Sequence, residues 1–178
     1  TLRTHSLIYT EQKPDFLFIG DSITHYWELN AYFNLPGQLI VNRASEETLQ
    51  ISEKAVLRGC SAAKAQILHN GIGINDSIEL EGDYWKRLEP KPYDEVLTTA
   101  QNNISNIICQ AENTDTLNSY LSSAHTHTIL LNEAIRKRYI KEMNEWLAQT
   151  AKRNKLIFVN YYNTTTFPGT EKLLDGIT

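Results

Sequence analysis

Phe16-Leu17-Phe18-Ile19-Gly20-Asp21-Ser22-Ile23-Thr24 is the stretch on which the reading of this chain turns. Four apolar residues in a row, two of them aromatic and stopped by a glycine, have the length and make-up of a buried strand. Asp21 and Ser22 are residues that cap helices, so the strand is expected to turn directly into one. A hydroxyl at that turn lies beside backbone N–H groups and the positive end of the helix, a place that can stabilise a developing oxyanion. Gly20-Asp21-Ser22 alone is equally an ordinary capping turn.

Working outward, Leu39-Ile40-Val41 reads as a second strand, Ala65 to Leu68 as a third, Leu117 to Leu121 as a weak polar fourth and Leu156 to Val159 as a fifth. Between them Ile23 to Phe33 reads as a helix with Ile23, Tyr26 and Trp27 available to pack. Glu46 to Arg58 reads as another, carrying Leu49, Ala55 and Val56 and closed by Gly59. After Pro92, Val96, Leu97, Ala100, Ile104, Ile107, Ile108 and Ala111 recur at helical spacing. The clearest helix runs from Asn132, a capping residue, to about Asn154. Its apolar face is Ile135, Tyr139, Met143, Trp146 and Leu147, with Lys152 and Arg153 in the last turn, where the helix dipole favours cations. Residues 77–92 form a polar, aromatic insertion. Strands alternating with helices predict an α/β fold, a parallel sheet with helices on both faces, as one domain over 1–178. Right-handed crossovers bring the loops that follow the strands to one edge, and ligands bind there at the point where strand order reverses.

The chain has 178 residues, 41% hydrophobic and 21% charged, with a net charge of -4, which suits an ordinary globular domain with a full core. Acids and bases are interspersed, so no basic stripe points to nucleic acid. Cys60 and Cys109 are too few for a disulfide scaffold and read as small apolar residues on helices. No apolar run reaches the roughly 18 residues that span a bilayer, so a soluble chain is expected. It begins at Thr1, so both a cytoplasmic chain and an exported one with its leader removed stay open.

Gly73-Ile74-Asn75-Asp76 follows the third strand. In a five-stranded sheet of order 2-1-3-4-5, strands one and three are neighbours at the switch point, so Ser22 and Asn75 face each other across one crevice. A carboxamide there can donate to an oxyanion; Gly and Asn are also common turn residues. Gly71-Ile72-Gly73 is no dinucleotide fingerprint, because Asp76 occupies the place of the third glycine.

The two motifs in this order resemble the SGNH (GDSL-type) hydrolases. Residues 16–24 followed by Trp27-Glu28 are similar to the family's first block, Val41-Asn42-Arg43 to the start of its second, and Gly73-Ile74-Asn75-Asp76 to its third. The resemblance extends along nearly the whole chain. It implies a flavodoxin-like three-layer α/β/α sandwich and a serine ester hydrolase with Ser22 as nucleophile. The Ser22 N–H and the Asn75 side chain would be oxyanion donors, Gly73 and Asp21 would line the site, and no metal or cofactor is implied. The substrate would be a small-molecule, carbohydrate or lipid ester. A histidine in a terminal Asp-x-x-His block would be the general base.

Two departures stand out. The second block normally holds a glycine whose N–H is a further oxyanion donor; alignment on Thr48 puts Glu46 there, where φ is more restricted and a carboxylate repels a forming anion unless it faces solvent. The chain ends Leu173-Leu174-Asp175-Gly176-Ile177-Thr178 with no Asp-x-x-His. Either Thr178 stands in for the histidine, which could not act as a base near neutral pH, or the chain stops short of that block. The second reading is favoured, and little turnover is then expected of these 178 residues alone. Of the five histidines, His25 is expected to point away from Ser22 and His69 to lie inside the third strand. His125 and His127 follow the fourth strand and read as a solvated loop. Tyr84, Trp85 and Tyr93 are candidates for lining an acyl or sugar site. The alternatives are a non-catalytic member of the family that binds a sugar or acyl ligand, and a flavodoxin-like binding domain unrelated to hydrolases.

Overall fold

In the computed structural model, which describes residues 13–33, 35–44, 65–81, 89–113, 118–122 and 133–167, the apolar run becomes strand β1, Phe16–Gly20. Strands β2 (Ile40–Asn42), β3 (Ile67–Gly71), β4 (Asn118–Ser122) and β5 (Ile157–Val159) complete a parallel sheet of order β2-β1-β3-β4-β5. Phe18 pairs with Asn42 on one side and His69 on the other, and Gly20 pairs with Gly71. Paired residues of parallel strands share a face. Leu17, Val41 and Leu68 therefore point one way, and Phe18, Asn42 and His69 the other.

Two long helices cover the first face: α3 (Tyr93–Glu112) and α4 (Glu133–Arg153). Leu17, Ile19, Ala65 and Leu68 pack under Ile107 and Ala111 of α3. Val96, Ala100, Ile104 and Ile108, spaced four residues apart, mesh with Tyr139, Ile140, Met143, Leu147 and Ala151 of α4. Burial of these stripes, at about 25 cal/mol per Å² of apolar surface, is what holds the helices to the sheet. The second face carries short helices α1 (Ser22–His25), α2 (Leu29–Tyr32) and α5 (Tyr161–Thr165). Among the described residues no helix is long and apolar enough to cross a membrane.

The α/β architecture is the expected one, and several details differ. The single helix expected over Ile23 to Phe33 is two short ones, broken between His25 and Leu29. The break lets both Trp27 and Leu29 turn toward the sheet, which positions i and i+2 of one helix do not do. Thr24 is buried instead, while Ile23 is 40% and Tyr26 64% exposed. The third strand starts and ends later than the expected Ala65 to Leu68: it holds His69, as expected, and runs on through buried Asn70 to Gly71, residues that read as a turn. Residues 77–92 are not wholly insertion, since a 3-10 helix runs over Asn75–Leu80. Cys109 is exposed on α3 rather than packed. The expected helix over Glu46 to Arg58, Cys60, Tyr84 and Trp85 lie outside the described residues.

Candidate active site

The site starts from a steric fact about Gly20. A β-carbon there would lie 2.1 Å from Thr24 Oγ1, 2.5 Å from Thr24 Cβ and 2.9 Å from the Gly71 carbonyl oxygen. The absence of a side chain lets α1 fold back onto the ends of β1 and β3. Asp21 N–H then donates to the Gly71 carbonyl (3.4 Å). The buried Asp21 carboxylate caps α1 by accepting from Ile23 N–H at 3.0 Å. Burial pushes this carboxyl up, and the backbone N–H groups of Ile23 and Thr24 pull it back. With Asp21 serving as the cap, the Ser22 hydroxyl has no hydrogen bond to another described residue, and Ser22 is partly exposed at the first helical position.

The facing loop is built to place Asn75. Gly73 has φ +117°, a conformation that side chains disfavour, so glycine is required there. Its carbonyl accepts from the Tyr139 hydroxyl at 2.9 Å, inside the core. Ile74 is buried in the α3–α4 core, and Asn75 opens the 3-10 helix. Ser77 Oγ donates back to the Ile74 carbonyl, and Arg136 Nε donates to Ser77 Oγ at 3.1 Å. Arg136 and Tyr139 are three residues apart on α4, so one helix face fixes both ends of the Asn75 turn. Neither was singled out by sequence as a support for this loop. The available signal was an arginine three residues before a tyrosine on an otherwise apolar stripe.

Asp21, Gly73, Asn75, Asp76 and Asn103 line one small cavity of about 20 Å³. The turn that carries Ser22 and the turn that begins at Asn75 therefore meet. Asp76 is driven up to about 7, first by burial and then by the charges of Glu79 and Asp21, with Lys91 opposing. A carboxyl raised in the folded state above its usual 3.8 contributes stability that is complete below that value and lost as pH climbs toward 7. Asparagine does not titrate. The variant Asp76→Asn is thus expected to gain thermal stability on the parent protein as pH goes from 5 to 8. Unfolding midpoints of both proteins at the two pH values check this, and an equal difference at each would contradict it.

His69 packs at 4.8 Å from Phe18 and 5.8 Å from Tyr161, ring centre to ring centre, with Nε2 3.4 Å from the Tyr161 hydroxyl. Burial pushes its imidazole down to about 4, so it is neutral at pH 7. The His25 ring is engaged elsewhere, Nδ1 lying 3.1 Å from the Ala44 carbonyl. Tyr93 lies in the contact between α3 and α4 with the Arg138 guanidinium 4.2 Å above its ring, so it does not line this crevice. Glu46, His125, His127 and Asp175 lie outside the described residues.

No protein-family model matches the chain, and a search of curated proteins finds no match. Solved structures do match. A GDSL-like lipase from Bacteroides thetaiotaomicron superposes on 98% of this chain and 83% of its own, with TM-score 0.70 and 20% identity. An acetylxylan esterase from Geobacillus stearothermophilus, solved as a catalytic mutant, superposes on 83% of this chain and 76% of its own, with TM-score 0.62 and 18% identity. At such identities the likeness is one of fold: the chain has the fold of GDSL-like lipases and acylhydrolases.

Proposed function

We propose that a chain with this fold, carrying Ser22 and Asn75 on adjacent strand ends, is a serine ester hydrolase. Ser22 Oγ attacks the ester carbonyl and its proton passes to a general base. The Ser22 N–H and the Asn75 carboxamide donate to the oxyanion that forms. The alcohol leaves with a proton, an acyl group remains on Ser22, and water then releases it as the acid. Asp21 holds the turn, and Gly73, through its positive φ, turns the opposite loop toward it. No metal or cofactor enters this chemistry.

One observation carries the reading. β1 and β3 are neighbours, and the residues just past their C-terminal ends, Asp21 and Asn75, line a common cavity. The comparison adds support, because in the acetylxylan esterase both a serine and a histidine have been replaced to give catalytic mutants. Here neither His25 nor His69 is assigned the base, since one is bonded to a carbonyl and the other is buried among aromatic rings.

The role of Asn75 is open to a direct test. In protein expressed to the natural end of its reading frame, Asn75→Ala is expected to lower kcat on p-nitrophenyl acetate by about 10²-fold, the cost of one oxyanion donor. KM should move little, because the interaction forms in the transition state. A loss confined to KM would remove Asn75 from the oxyanion site.

A further inference from the structure

A second concavity of about 390 Å³ lies on the opposite face of the sheet from α3 and α4, lined by Trp27, Glu28, Asn30, Ile40 and Asn42 among others. That volume is within the roughly 300–1,000 Å³ usual for small-molecule sites. Ile40 and Asn42 share the face of β2 that Phe18 presents on β1. The half-buried Trp27 ring lines it, held in place by Phe33 at 5.5 Å, Phe18 and Tyr161 at 6.0 Å and His69 at 6.4 Å, ring centre to ring centre. The concavity is tied to the Ser22 turn. Asn42 Nδ2 donates to the Thr24 carbonyl at 2.7 Å, Trp27 N–H donates to the same carbonyl at 3.3 Å, and Tyr26 N–H donates to the Ser22 carbonyl at 3.0 Å.

We propose that this concavity is a carbohydrate subsite, in which Trp27 offers a ring face and Glu28 and Asn30 take sugar hydroxyls. It deepens the esterase reading, on which the further step rests that this sugar carries the ester presented to Ser22.

The chemistry of the lining selects that ligand class. Among the described residues, the Glu28 carboxylate and the Asn30 carboxamide have no hydrogen bond or ion pair, and both side chains are exposed. A carboxylate accepts from adjacent hydroxyls, while a carboxamide both donates and accepts, as a hydroxyl does. The apolar face of a pyranose matches an indole. A fatty acyl chain would desolvate Glu28 with nothing in return. A quaternary ammonium group is recognised by a cage of several rings, and among the described residues Trp27 is the one aromatic that lines this concavity.

The test reads binding rather than turnover. Xylobiose and cellobiose are titrated into the protein while the indole N–H resonance of Trp27 is followed by NMR. The signal is assigned among the three tryptophans with Trp27→Phe. Saturable movement by at least one disaccharide is expected, with binding weakened tenfold or more in Glu28→Ala/Asn30→Ala. An unchanged unfolding midpoint shows that this double variant folds. No movement up to about 50 mM sugar, equal affinity in the double variant, or tighter binding of tetramethylammonium than of either sugar would overturn the proposal. Hydrolysis of p-nitrophenyl acetate, which carries no sugar, tests the esterase reading separately, so either can fail alone.

Discussion

Ser22→Ala is expected to lower kcat/KM for p-nitrophenyl acetate by about 10³-fold or more, in protein expressed to the natural end of its reading frame. Asp21 and Ser22 divide the labour of the turn between them. Asp21 caps α1 through Ile23 N–H, so among the described residues the Ser22 hydroxyl has no structural bond to keep. Its removal should leave stability nearly unchanged while removing the only nucleophile proposed. Oxyanion donors and binding then leave a residual rate over water. Rates for Ser22→Ala and the parent enzyme measured side by side decide the matter, and equal rates would end the assignment.

Gly20→Ala is expected to produce the largest loss of stability at the site. The added β-carbon meets the buried Thr24 side chain at 2.1 Å and the Gly71 carbonyl at 2.9 Å. The Thr24 hydroxyl can rotate away, but the Thr24 β-carbon at 2.5 Å moves only with α1 and the Gly71 carbonyl only with its strand. Overpacking of this kind costs about 1–3 kcal/mol or more. At roughly 2–4 °C per kcal/mol for a domain of this size, the unfolding midpoint should fall by up to about 10 °C. Activity should fall as well, since relief of the clash moves α1 and with it Ser22. Adding Thr24→Ala to Gly20→Ala removes the closest contact, with Thr24 Oγ1, and should restore part of the midpoint, leaving the contacts with the residue 24 β-carbon and the Gly71 carbonyl unrelieved. Full recovery, or no loss in the single variant, would show that the close approach does not matter.

Much of this architecture is legible from residue order. The stripes on α3 and α4 have a period that a helix satisfies, and the short runs at Phe16–Gly20 and Ile157–Val159 have the length and the aromatic or β-branched make-up of strands. The breaks were not legible. Ile23, Tyr26 and Trp27 fit one amphipathic helix on paper, and only the sheet's demand for both Trp27 and Leu29 divides it. Strand β3 was placed with His69 inside it, as found, but its far end was missed, because Asn70 and Gly71 carry the look of a turn into Gly73-Ile74-Asn75. That the turn after β1 and the turn after β3 meet was legible because strand order, rather than local composition, brings Asp21 and Asn75 to one cavity. Tyr139 and Arg136 were not, since their partners are a backbone carbonyl and a serine hydroxyl 66 and 59 residues away. Long-range polar contacts of that kind leave no period in a sequence.

The central claim is that Ser22 becomes covalently acylated, and it can be observed without steady-state kinetics. The protein, carried to its natural C-terminus, is incubated with diethyl p-nitrophenyl phosphate, digested and examined by mass spectrometry. One diethylphosphoryl group is expected per chain, on the peptide containing Ser22 and at that residue, with none in Ser22→Ala. Labelling at another residue, or equal labelling of the Ser22→Ala protein, would contradict the account.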